Sequence, residues 1–150
     1  MYKLSQRSID RLNGVDERLE ILVHKAIAIT SVDFGVIEGL RTYDQQEALF
    51  LKGASQTMKS KHLSGEAVDL MAYFDGRPCW ELTVYDDIAD AIKKASIEID
   101  VPIRWGCAWH IPDIRKWGGS MEEAMNNYVD LRRREGGRPF LDGPHFEIGL

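Results

Sequence analysis

One charged residue in an apolar stretch constrains the fold of this chain more than any other feature. Asp69 lies within the segment 67–72, in which every other residue is apolar. Such a segment is typical of a buried strand. An unpaired carboxylate there would cost several kcal/mol, because burial removes its charge from water. The fold must therefore bring cationic groups to Asp69.

Two histidines are the best candidates for that arrangement. His62 precedes the strand, and the interval from His62 to Asp69 is predicted to form a turn followed by the strand. His145 stands in the segment 142–147 (DGPHFE), where Gly-Pro excludes a helix, so the extended chain places His145 and Glu147 on one face. Two histidines and a carboxylate can hold a catalytic zinc ion and leave a fourth position for water or substrate. We therefore predict one zinc ion per chain, bound by His62, Asp69 and His145.

The rest of the sequence predicts an α+β fold. Apolar periodicity and capping residues predict five helices: Ser5–Leu12, one that begins after Asp16, one from Thr42 to Gly53, Leu82–Ile99, and one from Ser120 to about Arg134. Strands are predicted at Phe34–Leu40, Ala67–Tyr73, Ile103–Cys107 and around His145, with a loop at Ala54–Ser64. If the second and last strands are neighbours, His145 faces Asp69.

Composition excludes several classes of function. The 150 residues predict one domain, and 19 Lys and Arg against 24 Asp and Glu give a net charge of -5. That balance offers no general attraction to nucleic acid or to an anionic membrane. The N-terminus lacks the apolar core of a signal peptide, and no apolar run approaches the ~20 residues of a membrane span. Cys79 and Cys107 form no Cys-x-x-Cys pair, which favours reduced thiols over a disulfide.

Arg41 and Gln45 flank the start of the third predicted helix. From the end of the preceding strand, Arg41 can direct its guanidinium into a cleft, but surface pairing with Glu38 or Asp44 explains it equally well. Gln45 lies three residues after Thr42, at the spacing of a capping box, and therefore also has a structural explanation.

The segment 105–117 is rich in aromatic residues. Trp105, Trp109 and Trp117 can each line a binding groove or pack in the core beneath a long loop, and the core is favoured for each one. His110 is a weaker candidate for an additional metal ligand because it lies in this loop. Glu147 has two interpretations, an acceptor for the N–H of a ligand imidazole or a solvated residue near a strand end.

The motifs resemble one known family. Ser60-x-His62-x6-Asp69, a late Asp142-x-x-His145 and the upstream segment 41–45 (RTYDQ) are similar to the zinc L-alanyl-D-glutamate peptidases of bacteriophage endolysins. These belong with D-alanyl-D-alanine carboxypeptidases and dipeptidases of the same fold. The resemblance covers about residues 34–148. It implies a small, mostly antiparallel sheet with packed helices, as in hedgehog-type and DD-peptidase domains, and a site in a surface groove.

The resemblance also implies roles for individual residues. His62, Asp69 and His145 become the zinc ligands, and Asp142 becomes the general base that activates water and then protonates the leaving amine. Arg41 would stabilise the oxyanion. Two further residues, Ser60 and Gln45, would hold the substrate.

The implied function is hydrolysis of the L-Ala–D-Glu bond in the stem peptide of peptidoglycan, causing bacterial lysis. The chain is expected to be a single catalytic domain, 1–150, without a wall-binding module, and to act as a monomer. It would be made in the host cytoplasm and reach the periplasmic wall with the help of a holin-type partner. Two alternatives are a D-alanyl-D-alanine carboxypeptidase with the same ligands and a wall-binding module with structural zinc. Asp142 and Arg41 argue against the latter, because a structural site needs no base.

Overall fold

The computed structural model describes residues 1–55 and 57–149. Its five α-helices are α1 (Gln6–Arg11), α2 (Glu17–Ile29), α3 (Tyr43–Leu51), α4 (Leu82–Ile99) and α5 (Met121–Arg134). Its strands are β1 (Asp33–Glu38), β2 (Ala67–Phe74), β3 (Arg77–Cys79), β4 (Ile103–Trp105) and β5 (His145–Ile148). Short 3-10 turns cover Lys61–Ser64 and Ile114–Lys116. The predicted α+β class with a small antiparallel sheet is confirmed.

The sheet places β2 at its centre. Its strand order is β1-β2-β5-β4, every pairing is antiparallel, and β3 folds back on the end of β2. Asp69 pairs directly with His145 on β5 and with Glu38 on β1. The expectation that His145 lies beside Asp69 is therefore confirmed, and three ionisable side chains stand in a row across three strands.

The core lies between the sheet and the helices. Alternate residues of β2 (Val68, Leu70 and Ala72) are fully buried, while Asp69 between them points to the other face of the strand. Helix α4 packs against both α2 and α5. Its inward face includes Ile88 and Ile92, as the helical spacing of its apolar residues predicts.

Several predicted boundaries are wrong. Strand β1 ends at Glu38 rather than Leu40, and a bulge between Val36 and Glu38 shifts its register with β2 just before that end. The predicted loop 54–64 contains a 3-10 turn, since Ser60 caps the backbone N–H of His62. Residue 56 of that segment lies outside the described part. Strand β4 ends at Trp105 rather than Cys107. Strand β3 was not predicted, because its three residues are too few to show an alternating pattern.

Three further expectations concern thiols, tryptophans and membrane insertion. Cys79 and Cys107 are both free, as expected. Trp105 is fully buried in the core, and Trp117 packs against the core as well. Within residues 1–55 and 57–149, no helix combines the length and apolar character needed to cross a membrane.

Candidate active site

The predicted site residues converge on one cleft of about 400 Å³. All of them except Gln45 line it: Arg41, Ser60, His62, Asp69, Asp142 and His145. A second groove of about 500 Å³ lies between α1 and β1, but the described residues that line it include no histidine or cysteine. The cleft beside β2 and β5 is therefore the candidate active site.

Asp69 lies between the two histidines. Its Oδ2 is 3.3 Å from Nε2 of His62, and its Oδ1 is 3.3 Å from Nδ1 of His145. The three ligand atoms lie within 4.8 Å of one another, and the structure holds no other such group among its described residues. Asp69 and His145 are 76 positions apart in the sequence. They meet here because β2 pairs with β5.

Each imidazole is held at the nitrogen that faces away from Asp69. Nδ1 of His62 donates to the carbonyl oxygen of Gly39 at 2.8 Å, and Nε2 of His145 donates to Oε1 of Glu147 at 2.8 Å. Because each of these nitrogens carries the proton, Nε2 of His62 and Nδ1 of His145 are left with lone pairs for a metal. Glu147 is buried, so the interpretation of it as a solvated strand-end residue is wrong.

The geometry fits a divalent metal. A tetrahedral zinc ion with ligands at about 2.0–2.1 Å places neighbouring ligand atoms about 3.3 Å apart. Each histidine nitrogen lies at that separation from a different oxygen of Asp69, and one ligand atom from each of the three residues lies within 4.8 Å of the others. Nε2 of His62 is also buried without a hydrogen-bond partner among the described residues, which is costly unless another group binds it. The cluster thus suits a metal site formed by two nitrogens and one carboxylate.

The charges of the cluster are strongly coupled. Burial acts to raise the pKa of Asp69, but its interactions with the nearby His145 and His62 outweigh burial and hold that pKa well below its usual range. Burial likewise acts to lower the pKa of His145, whereas its contacts with Asp69 and Glu147 raise it to about 9. Without a metal, a proton on His145 therefore compensates the buried carboxylates at neutral pH.

Asp142 lies on the loop that leads into β5. Its pKa is raised, first by burial and second by the negative charge of Asp69. Its backbone is tied on both sides, since its N–H donates to Gly106 O at 2.9 Å and its carbonyl accepts from His145 N at 3.1 Å. A carboxylate whose pKa is raised, and which lies beside the candidate metal ligands, is suited to accept and release a proton.

Arg41 is buried, so the exposed position considered from the sequence is wrong, although the pairing with Glu38 considered with it is present. Its Nε and Nη2 donate to the two carboxylate oxygens of Glu38 at 2.7 and 2.8 Å, and Nη1 donates to Oε1 of Gln46 at 2.5 Å. Nη2 lies 3.8 Å from Oδ2 of Asp69. Two of the five guanidinium N–H groups are not used in these bonds. Glu38 and Gln46 thus hold the guanidinium of Arg41 in place. Its two remaining N–H groups are left to bind a ligand in the cleft that Arg41 lines.

Gln46 is a residue that the sequence analysis missed. It is fully buried, and its amide nitrogen donates to Ser55 Oγ at 2.9 Å and to the carbonyl oxygen of Thr57 at 2.5 Å. Gln46 therefore connects Arg41 to the segment after α3 that lines the cleft, which includes Ser55 and Thr57. A buried glutamine in a helix with a polar sequence gives no periodic signal that would have identified it.

The two predicted substrate contacts differ in position. Ser60 lines the cleft while its Oγ accepts the backbone N–H of His62 at 3.2 Å. Gln45 instead forms the capping box of α3, in which its Oε1 accepts the N–H of Thr42 at 2.9 Å, and it is absent from the described lining of the cleft. Both substrate roles remain predictions.

Trp109 forms one wall of the cleft rather than core. Its ring lies 5.3 Å from that of His145 and stacks on Phe140 at 6.3 Å, and its Nε1 donates to the carbonyl oxygen of Phe140 at 3.0 Å. The Nε2 atom of His110 contacts Oδ1 of Asn127 on α5 at 2.7 Å, so the side chain of His110 is directed away from the candidate metal ligands. Lys61 also lines the cleft, 3.5 Å from Oε2 of Glu147.

Comparisons with known proteins agree with this geometry. The family profile described as phage L-alanyl-D-glutamate peptidase matches residues 1–149. The L-alanyl-D-glutamate peptidase of Escherichia phage T5 is 27% identical over 113 residues, which cover 73% of this chain and 82% of that protein. The crystal structure of the Serratia marcescens L-Ala D-Glu endopeptidase ChiX superposes with a TM-score of 0.72 at 30% identity, covering 97% of this chain and 90% of that one. The chain therefore belongs to the phage L-alanyl-D-glutamate peptidase family.

Proposed function

We propose that this protein is a zinc endopeptidase that hydrolyses the L-Ala–D-Glu bond in the stem peptides of peptidoglycan. The observation that carries the proposal is the orientation of the two histidines. Each has one nitrogen fixed by an acceptor and the other directed at Asp69. The names of the phage T5 enzyme and of ChiX supply the bond, and family membership supports the same choice here.

His62 Nε2, His145 Nδ1 and a carboxylate oxygen of Asp69 would hold the zinc ion. When bound, zinc lowers the pKa of a coordinated water towards ~7 and polarises a substrate carbonyl. Three protein ligands leave room for water and substrate, as in catalytic sites. A structural site would use a fourth protein ligand. The described residues offer no fourth His, Cys, Asp or Glu in the cluster, which supports an enzyme over a binding module.

Asp142 would act as general base and then as general acid. A carboxylate oxygen of Asp142 takes a proton from the attacking water and later delivers it to the amine nitrogen that leaves. Burial and the nearby Asp69 raise the pKa of Asp142, which makes its protonated form accessible during the reaction. Its two backbone hydrogen bonds, to Gly106 and His145, keep the carboxylate beside the ligand cluster.

Arg41 would stabilise negative charge that develops on the carbonyl oxygen of the scissile bond. Its pairing with Glu38 and Gln46 fixes the guanidinium in advance, so little reorganisation is needed during the reaction. Lysine would not reproduce this arrangement, because a bidentate pair needs the planar fork of arginine.

The site of action would be the periplasmic cell wall of the host. We also propose synthesis in the host cytoplasm, with a holin-type partner opening the inner membrane; membership of the phage family supports action on the cell wall. We further propose that the chain acts as a monomer and that residues 1–150 form a single catalytic domain.

Digestion of purified peptidoglycan, with and without a chelator, tests the proposal. We expect new L-Ala carboxyl and D-Glu amino termini only when zinc is present. Release of terminal D-Ala instead would assign a carboxypeptidase, and unchanged wall turbidity with zinc-loaded protein would favour a binding module.

The role of Asp142 is tested separately with Asp142→Asn, which keeps the shape of the side chain but removes its basicity. Loss of general acid–base catalysis is expected to lower kcat by roughly 10²–10⁴-fold, while zinc content stays near one per chain. Asp130→Asn is the matched control, because Asp130 is exposed on α5. If Asp142→Asn retained most of the activity, the assignment of the base would be wrong.

A further inference from the structure

We propose that a groove beside the cleft binds the acidic part of the stem peptide that follows the scissile bond, with Arg138 contacting the terminal carboxylate of that segment. This inference rests on the proposed function, because the stem peptide is the ligand. We name this feature the α5 groove; its functional residues are Trp109, His110, Tyr128, Arg132, Arg138 and Phe140, and its volume is about 600 Å³.

The α5 groove is continuous with the active-site cleft. Thr57, Trp109 and Phe140 line both spaces, so a bound chain can pass from one to the other along the same wall. That wall is rigidly joined, since the ring of Trp109 stacks on Phe140 and its Nε1 donates to the Phe140 carbonyl oxygen. The N–H of Phe140 in turn donates to the hydroxyl oxygen of Tyr128 on α5, at 3.3 Å.

The inner part of the groove is ordered and aromatic. The ring of His110 lies 5.4 Å from Tyr128 and 6.5 Å from Trp117, and its Nε2 is held by Asn127. Nδ1 of His110 is buried and has no hydrogen-bond partner among the described residues. A buried polar atom of this kind is normally satisfied, and a ligand in the groove offers one way to satisfy it.

The rim of the groove is basic although the chain as a whole carries a net charge of -5. Arg132 is 3.9 Å from Glu135, so those two charges largely cancel. Arg138 is exposed and forms no ion pair with the other residues that the structure describes. Among the described residues that line it, the groove therefore has one uncompensated cation, Arg138, which complements a carboxylate.

The proposed substrate carries carboxylates, the groups that this cation attracts. A glutamate joined through one carboxyl group keeps a second one, and the free end of a stem peptide carries another. From Tyr128 to Arg134, α5 rises about 9 Å, which is nearly the span of three extended residues. The groove is thus long enough for the residues after the cleaved bond, whereas the cleft of about 400 Å³ surrounds the bond itself.

The test combines one protein change with one substrate change. Arg138→Gln and the wild-type protein are compared on two synthetic stem tetrapeptides that differ only in a terminal carboxylate or carboxamide, each loaded with equal zinc. Removing a charge-assisted hydrogen bond is expected to raise KM about tenfold for the carboxylate peptide, with kcat unchanged. For the carboxamide peptide, the two proteins are expected to have the same KM.

Arg133→Gln is the matched control, because Arg133 is exposed on the same helix and lies outside the described lining of the α5 groove. It removes the same charge and is expected to leave KM unchanged for both peptides. An equal effect of Arg138→Gln on both peptides would overturn the carboxylate contact. A loss seen only with a glycan-linked peptide would assign the groove to the sugar strand and would also overturn the proposal.

Failure of the proposed function gives a different result. If wild-type protein cleaves neither tetrapeptide, nor a short N-acetyl-L-Ala-D-Glu amide, the assigned bond is wrong. Binding of the same two tetrapeptides by calorimetry then decides on the groove, because tighter binding of the carboxylate form that depends on Arg138 needs no cleavage. Equal binding of both forms would overturn the inference.

Discussion

Gly106→Ala is the substitution that most directly tests how the fold places the catalytic loop. Gly106 follows β4, its N–H donates to His145 O at 2.9 Å, and its carbonyl accepts from Asp142 N at 2.9 Å. It therefore lies against the two residues proposed as base and ligand. A methyl group at this position would lie 2.1 Å from the carbonyl oxygen of Asp142.

The size of the expected effect follows from that distance. Ordinary contacts of a Cβ atom begin at 3.4 Å, so the backbone at Asp142 must move by about 1.3 Å to reach van der Waals separation. The obstacle is backbone held by hydrogen bonds and cannot rotate away as a flexible side chain would. Overpacking of this kind costs about 1–3 kcal/mol of stability, and a displacement of ~1 Å at a catalytic group lowers activity about 10²-fold.

The assay measures kcat on a stem peptide, zinc content and the free energy of unfolding for Gly106→Ala. Gly118→Ala is the matched control, because a methyl group there meets no atom within 4 Å. We expect the control to keep wild-type kcat and stability. If Gly106→Ala kept wild-type kcat with one zinc per chain, the close approach of β4 to Asp142 would not position the base.

Two further predictions concern His145, one of the proposed metal ligands. Glu147→Ala removes the acceptor of His145 Nε2, so we expect zinc affinity, measured by competition with a chelator, to fall 10–100-fold. Glu147→Gln keeps an oxygen acceptor, so its zinc affinity is expected to fall less. An unchanged affinity for both variants would contradict the role of Glu147. In the metal-free protein the pKa of His145 is raised to about 9 from 6.5 in the unfolded chain, so its protonation stabilises the fold below about pH 6.5 and this stabilisation is lost as pH rises through about 9. Urea unfolding of chelator-treated protein is expected to show lower stability at pH 9 than at pH 6.5, and the reverse order would contradict the assigned protonation.

The ligand cluster could be predicted from sequence because its signals are local. Asp69 is conspicuous as a carboxylate within an apolar strand, and the Gly143-Pro144 pair forces the extended chain that leads into His145. Once β2 and β5 are strands, a single pairing brings the two residues together. The caps of α3 and α5 are equally local, since each capping box is formed by residues three positions apart.

The environment of Arg41 could not be predicted in this way. Its guanidinium is bound by Glu38, which follows a bulge in β1, and by the amide of Gln46, which reaches Thr57 beyond the end of α3. Neither feature leaves a periodic pattern. The same limit applies to Trp109, because its position in the cleft wall depends on contact with Phe140, 31 residues later in the chain. Side chains placed by contacts between loops need tertiary structure to be assigned.

The two histidines show why one half of the site is encoded locally and the other is not. The acceptor of His145 is Glu147, two residues away on the same strand, so a single side chain can be removed to test it. The acceptor of His62 is the backbone oxygen of Gly39, 23 residues away, and no side-chain deletion can remove it. A methyl group at Gly39 would lie 2.3 Å from the carbonyl oxygen of Arg11. The packing of α1 against the segment after β1 therefore sets the orientation of His62, which makes the N-terminal helix part of the machinery that positions the proposed metal ligands.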